Sequence, residues 1–229
     1  MAGARWQTDS RRDPTERRFV VYLWNRVMEP SPTRFTDAGP AMVEAVNHVN
    51  EVSAYQFNLW AVVLGRAGFG VSALCPDFGA FSEEMATRGL EDAAFREKVS
   101  AVGACMQGAL EDSLWQVVHS VGDWPNAPAV ISNAIWSPQQ GSDLASNIAW
   151  AVEMTTYVGD ALGARSVVCA GGPGTAMTVR VYNGYDSVAD WQERTAAGAA
   201  DAGWQERMQA VTAIADASTL ETNLLRRLI

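Results

Sequence analysis

The residues Leu90 to Val102, LEDAAFREKVSAV, are written a second time as Ala199 to Val211, AADAGWQERMQAV. Asp92 meets Asp201, Ala93 meets Ala202, Glu97 meets Glu206, Ala101 meets Ala210 and Val102 meets Val211. Phe95 faces Trp204, Lys98 faces Arg207 and Val99 faces Met208, so aromatic answers aromatic and base answers base. A match kept in step over such a stretch points to a duplicated unit of roughly 100 residues, and the fold has to accommodate that unit twice.

The rest of the chain follows the same beat. Phe19 to Met28, rich in β-branched and aromatic residues and stopped by Pro30 and Pro32, reads as a strand. Met42, Ala45, Val46, Val49 and Val52 recur at helical spacing behind Thr36 or Asp37 as a cap. Phe57–Leu64 and Phe69–Cys75 are strands around the turn GRAG, a helix opens near Ser82 and carries the repeated stretch, and Leu114–Val121 is a fourth strand. After GDWPNAP the order restarts: strand Val130–Trp136, helix Asp143–Val158, strand Ser166–Ala170, the turn GGPG, strand Met177–Tyr182, one helix from Ser187 through Ala213, and strand Thr219–Leu228. Pairing Pro30 with Pro138 and Cys75 with Tyr182 gives an offset of 107 to 108 positions. The expected organisation is an N-terminal arm over 1–18, a first repeat over 19–122, a linker over 123–128 and a second repeat over 129–229.

Each repeat reads βαββαβ, the ferredoxin-like split unit, whose four-stranded antiparallel sheet carries both helices on one face. A bare apolar face seeks a second one, so the expected fold is α+β, two fused ferredoxin-like repeats packed sheet to sheet as an α+β barrel.

Composition narrows the partners. A formal charge of −9 argues against nucleic acid and anionic membrane, which need clustered positive charge, and no run reaches the length of a membrane span. The three cysteines, Cys75, Cys105 and Cys169, sit at no metal-ligand or CxxC spacing, so the expectation is a reduced, cytoplasmic protein without disulfides or structural zinc. Two histidines are too few for a His-rich metal centre. Asp77-Phe78-Gly79 spells DFG without the other kinase elements, and the glycines at 171, 172 and 174 fit a hairpin turn rather than a phosphate cradle. His48 shares a polar helix side with Glu44 and Glu51 and is expected to be exposed.

With that element order in place, the chain resembles the dimeric α+β barrel superfamily in a fused, tandem form. The segment NGYDSVADWQERTAAGAADAGWQERM is similar to the C-terminal helix region of NIPSNAP-like and antibiotic-biosynthesis-monooxygenase-like domains. The resemblance implies a fold together with a range of chemistries: cofactor-free oxygenases, polyketide cyclases, haem enzymes and proteins that only bind.

Strand alternation then assigns faces. Phe19, Val21, Leu23 and Val27 form an aliphatic side suited to helix packing and interrupted by Asn25, which leaves Tyr22, Trp24, Arg26 and Met28 directed inward. The same reasoning points Asn58, Trp60, Trp115 and His119 inward, and in the second repeat Val130, Ser132, Ala134, Trp136, Thr178, Arg180 and Tyr182. A bulky wall opposite a smaller one leaves room for a small molecule.

The leading expectation is therefore a cofactor-independent enzyme oxygenating or cyclising an aromatic or polyketide-like substrate in secondary metabolism. Tyr22, Trp24, Asn58, Trp60, Trp115, Trp136 and Tyr182 bind the substrate. Arg26 or Arg180 stabilises a phenolate or enolate, and His119 moves the proton. Two alternatives stand beside it: haem held by His119, and a non-catalytic small-molecule-binding or assembly module, with a homodimer as a possible state. Each candidate also has a structural reading: tryptophans at strand spacing fill cores, and inward arginines form ion pairs.

Overall fold

The structure is a computed structural model that describes residues 20–65, 68–124, 126–173 and 175–229, apart from the side chain of Ala109. The expected arm over 1–18, Phe19 of the first strand, Arg66 and Ala67 of the GRAG turn, Pro125 of the linker and Gly174 of GGPG lie outside the described residues.

Among the described residues the protein is mixed α+β. The order is β1 (Tyr22–Pro30), α1 (Phe35–Val52), β2 (Phe57–Leu64), β3 (Phe69–Cys75), α2 (Phe78–Glu91), α3 (Ala93–Gly103) and β4 (Met106–Val121), then β5 (Val130–Trp136), α4 (Leu144–Leu162), β6 (Arg165–Gly171), β7 (Val179–Tyr185), α5 (Val188–Ala200), α6 (Ala202–Val211) and β8 (Glu221–Arg227). No described helix is long and apolar enough to cross a membrane.

The chain forms two compact units. One, the β1 unit, holds Val21–Gln116, Gly171–Ala176 and Asn223–Ile229; the other, the β5 unit, holds Val117–Ala170 and Met177–Thr222. The chain passes from one to the other just before β1, within β4, within β6, between β6 and β7, and within β8.

In the β1 unit the strands run in the order β4-β1-β3-β2-β8, all antiparallel. Helix α1 buries Ala38, Met42, Val46 and Val49, one stripe at helical spacing. That stripe packs with Phe81 of α2 and Val102 of α3 against Met28, Phe57, Leu59, Val71 and Ala73 of the sheet. In the β5 unit β7 lies between β5 and β6, again antiparallel. Ala151 of α4 packs there with Trp136, Val168, Val179 and Val181.

Helix starts are set by side-chain oxygens. Asp77 caps α2 by accepting from Ala80 N, Asp143 caps α4 through Ser146 N, and Ser187 caps α5 through Asp190 N. The start expected near Ser82 thus lies earlier, and the Asp77-Phe78-Gly79 triplet is a helix N-terminus. Each long helix expected from the repeated stretch is in fact two. Asp92 ends α2 and caps α3 through Phe95 N, and Asp201 ends α5 and caps α6 through Trp204 N. Both have extended backbone, φ −86 to −87°, which breaks the helix while their carboxylates restart it. What the sequence repeats is therefore a helix break.

Each break is also tied to the first helix of its unit. Asp92 Oδ2 lies 2.9 Å from His48 Nε2 on α1, so His48 is mostly buried rather than exposed as expected. Asp201 Oδ1 accepts from Tyr157 Oη on α4 at 2.5 Å. Hydrogen bonds hold both carboxyls below the ordinary range, chiefly from Phe95 N–H and then His48 at Asp92, and from Tyr157 and then Trp204 N–H at Asp201. A lowered folded pKa contributes stability that is complete above the unfolded value of about 3.9 and disappears as pH falls through the folded value. The melting temperature of the native protein is expected to drop more steeply below pH ~4 than that of Asp201→Asn, which keeps a capping oxygen and loses the titration. Superimposable acid limbs in thermal melts would contradict this assignment.

Candidate functional site

Directly paired residues of antiparallel strands point to the same side of the sheet, so the registers assign faces without appeal to composition. In the β1 unit Trp24 pairs with Ala73, and Ala73 with Phe57. These three face the helices: the Trp24 ring lies 5.5 Å from that of Phe81 on α2 and 6.1 Å from that of Phe57. Tyr22 shares that face, with its ring 6.4 Å from Phe78. Arg26 shares it too, at the rim. Its guanidinium grips Asp112 with two 2.7 Å bonds and lies 5.3 Å from the Trp24 ring centroid.

The inward facing expected for Tyr22, Trp24 and Arg26 is therefore reversed. The helices of this unit offer aromatic rings, Phe78 and Phe81, and rings pack on rings, so the aromatic edge of β1 belongs beneath them. Trp136 is reversed for the same reason. It donates from Nε1 to Asn147 Oδ1 on α4 at 2.9 Å and meets the Trp150 ring edge-on at 5.8 Å. Its strand neighbours Val130, Ser132 and Ala134 pair with Tyr185, Asn183 and Val181 on that side. His119 also turns to a helix: Nε2 lies 3.1 Å from Thr156 Oγ1 on α4.

Among the described residues the helices of the β1 unit all pack on the side of Trp24, and the opposite face of its sheet meets none of them. One row crosses it through four strands: Asn58 pairs with Ser72, Ser72 with Asn25, and Asn25 with Ser113. All four are polar, and Asn25 is only 9% exposed. An indole flanks the row on each side. Trp60, two residues beyond Asn58, donates from Nε1 to Ser72 Oγ at 2.9 Å; Trp115, two beyond Ser113, donates from Nε1 to Ser113 Oγ at 2.9 Å. Both tryptophans are buried. Gly70 sits directly across from Trp60 and supplies no side chain to crowd the ring. Aromatic walls with a few fixed polar groups between them are the ordinary form of a small-molecule site.

In the β5 unit the helix-free face holds Asn133 paired with Tyr182, and Arg180 paired with both Ile135 and Cys169. Arg180 is 8% exposed, and its guanidinium carbon lies 5.0 Å from the Tyr182 ring centroid. Burial pushes the Cys169 thiol up to about 12, so it stays protonated beside that cation and is no nucleophile. Cys75, also raised by burial, to about 11, is equally inert.

Of the residues picked out from sequence, then, Asn58, Trp60 and Trp115 share the helix-free face of the β1 unit, and Arg180 and Tyr182 that of the β5 unit. Tyr22, Trp24, Arg26, Trp136 and His119 do not join them. Asn25, Ser72 and Ser113 were missed. A signal did exist: Asn25 and Asn133 stand 108 positions apart, the offset of Pro30 and Pro138, and both are buried.

No family model matches the chain, and no curated protein matches it. Solved structures do. A provisionally named monooxygenase from Fusobacterium nucleatum subsp. nucleatum superposes with a TM-score of 0.71 at 11% identity, over 93% of this chain and 94% of that one. An anthrone oxidase-like protein gives 0.65 at 13% identity, over 92% of each chain. A heme-binding protein from Thermus thermophilus gives 0.53 at 8% identity, over 92% of each chain. Likeness at such identities shows the fold alone.

The haem expectation needs an imidazole on a helix-free face. The chain has two histidines. His48 is bound to Asp92 among the helices. The hydroxyl proton of Thr156 goes to Val152 O at 2.8 Å, so Thr156 Oγ1 can only accept, and His119 donates to it from Nε2. Burial lowers the pKa of His119 and favours the neutral imidazole. Neither residue fits an axial ligand on those faces, and His119 is not placed to shuttle a proton there.

Proposed function

We propose that this protein is an oxygenase-like enzyme without a bound cofactor, acting on a flat aromatic or polyketide-like small molecule. The observation that carries the reading is the helix-free face of the β1 unit, where two buried indoles, each fixed by a serine, flank a polar row. Trp60 and Trp115 would pack the ring system, and the Asn58 and Asn25 amides would orient its oxygens. The names of the monooxygenase and the anthrone oxidase-like neighbour favour oxygenation over cyclisation. A ring bearing keto or hydroxyl groups, once deprotonated, supplies its own electrons to dioxygen, which is why no cofactor is invoked. In the β5 unit, as a separate proposal, Arg180 beside Tyr182 is the candidate to stabilise a phenolate or enolate oxygen.

The same reading takes the chain as two ferredoxin-like copies, with an arm over 1–18, repeats over 19–122 and 129–229, and a linker over 123–128. The element order, which runs through β1 to β4 and again through β5 to β8, supports it. Kinship with NIPSNAP-like and antibiotic-biosynthesis-monooxygenase-like domains rests on the segment from Asn183 to Met208.

Anthrone and a soluble hydroxyanthraquinone test the activity. The native protein is expected to consume oxygen with anthrone and to lose tryptophan emission as the hydroxyanthraquinone binds. Trp60→Ala and Trp115→Ala should each weaken that binding by roughly tenfold, the worth of one ring-stacking contact. Native protein that shows neither oxygen uptake nor quenching would overturn the reading.

A further inference from the structure

The two serines of the polar row have a chemistry that the indoles do not use. A serine hydroxyl carries one proton to donate and lone pairs to accept. Ser72 and Ser113 each accept an indole N–H, from Trp60 and Trp115 respectively, through Oγ at 2.9 Å. Among the described residues neither hydroxyl gives its own proton to an acceptor, and both side chains are only partly buried. Accepting one hydrogen bond polarises a hydroxyl and makes it a better donor in the next. Each indole–serine pair is therefore a relay that ends in an O–H.

We infer that Ser72 and Ser113 are ligand-binding donors, and that they select a flat ring system with acceptor oxygens on opposite edges. The inference rests on the ring-binding reading of this face and narrows its substrate class to quinone-like or diketo compounds. The register supplies the geometry. Ser72 and Ser113 both pair directly with Asn25, one from each neighbouring strand. They stand two strand spacings apart, roughly 9–10 Å. Donors so placed reach inward to two oxygens across a fused ring.

Calorimetric titration with 9,10-anthraquinone-2-sulfonate and anthracene-2-sulfonate tests this, since the two probes share the ring skeleton and the charge and differ in the two oxygens. The native protein is expected to bind the quinone at least about tenfold more tightly, the usual worth of one to two net hydrogen bonds. Ser72→Ala and Ser113→Ala should each reduce most of that preference, while Ser72→Thr and Ser113→Thr, which restore a hydroxyl, should keep it. A serine that merely props its indole would weaken both probes alike on substitution by alanine, and that result overturns the inference, as do equal affinities in the native protein. If neither probe binds the native protein, the ring-binding reading fails and the inference falls with it. Equal binding of both leaves that reading standing and removes only the role of the serines.

Discussion

Replacing Phe81 with alanine is expected to destabilise the β1 unit by about 3–5 kcal/mol, the cost of removing a buried ring from a core that relaxes only in part. Phe81 is 3% exposed and stands at the centre of a ring cluster. Its centroid lies 5.0 Å from Tyr55, 5.5 Å from Trp24, 5.9 Å from Phe57 and 6.0 Å from Phe78. No single neighbour can move into the space without abandoning another. Urea unfolding followed by circular dichroism measures the loss, and Trp24→Ala should show a smaller loss of the same kind because that ring is only half-buried. Both variants should retain the ligand affinity of whatever fraction remains folded, since neither ring touches the helix-free face. A Trp24→Ala protein of native stability that no longer binds ligand would return Trp24 to the site and reverse the assignment of faces.

That assignment marks the limit of what the sequence disclosed. Strand positions were legible because β-branched and aromatic runs bounded by Pro and Gly are strong local signals, and β2 and β3 fall on the expected residues. Which side of a strand meets the helices is a tertiary question. On β1 composition points the aliphatic set Leu23 and Val27 at the helices, with Asn25 as its flaw. In the fold Asn25 belongs to a polar row, and the aromatic set meets helices that carry aromatics themselves. Where neighbouring side chains were unambiguous, as with Leu59 against Trp60 on β2, alternation alone put each residue on the right face. The helix breaks at Asp92 and Asp201 were hidden for a different reason. An Asp inside a helical pattern is usually a surface residue, and only the carboxylate's bond to the restarted helix reveals it as a cap.

Substituting Gly203 by alanine is the complementary experiment in the β5 unit, and it is expected to cost about 1–3 kcal/mol by overpacking. A Cβ at 203 would lie 2.8 Å from Cζ of Tyr157 and closer still to its hydroxyl. The ring cannot swing aside freely. Its hydroxyl donates to Asp201, and the guanidinium of Arg207 lies 4.1 Å from its centroid. The β1 unit shows the solution for a smaller partner: Ala94 stands 109 positions before Gly203, and His48 stands 109 before Tyr157. Imidazole with alanine in one unit and phenol with glycine in the other keep the same bond to a capping aspartate. The double variant Gly203→Ala/Tyr157→His should therefore recover most of the stability lost by Gly203→Ala alone. Denaturant-derived stabilities of the two single variants and the double close the cycle, with an expected coupling of about 1 kcal/mol or more. Additive losses would mean that the two positions do not compensate, and the correspondence between the helix breaks would then be one of sequence without shared packing.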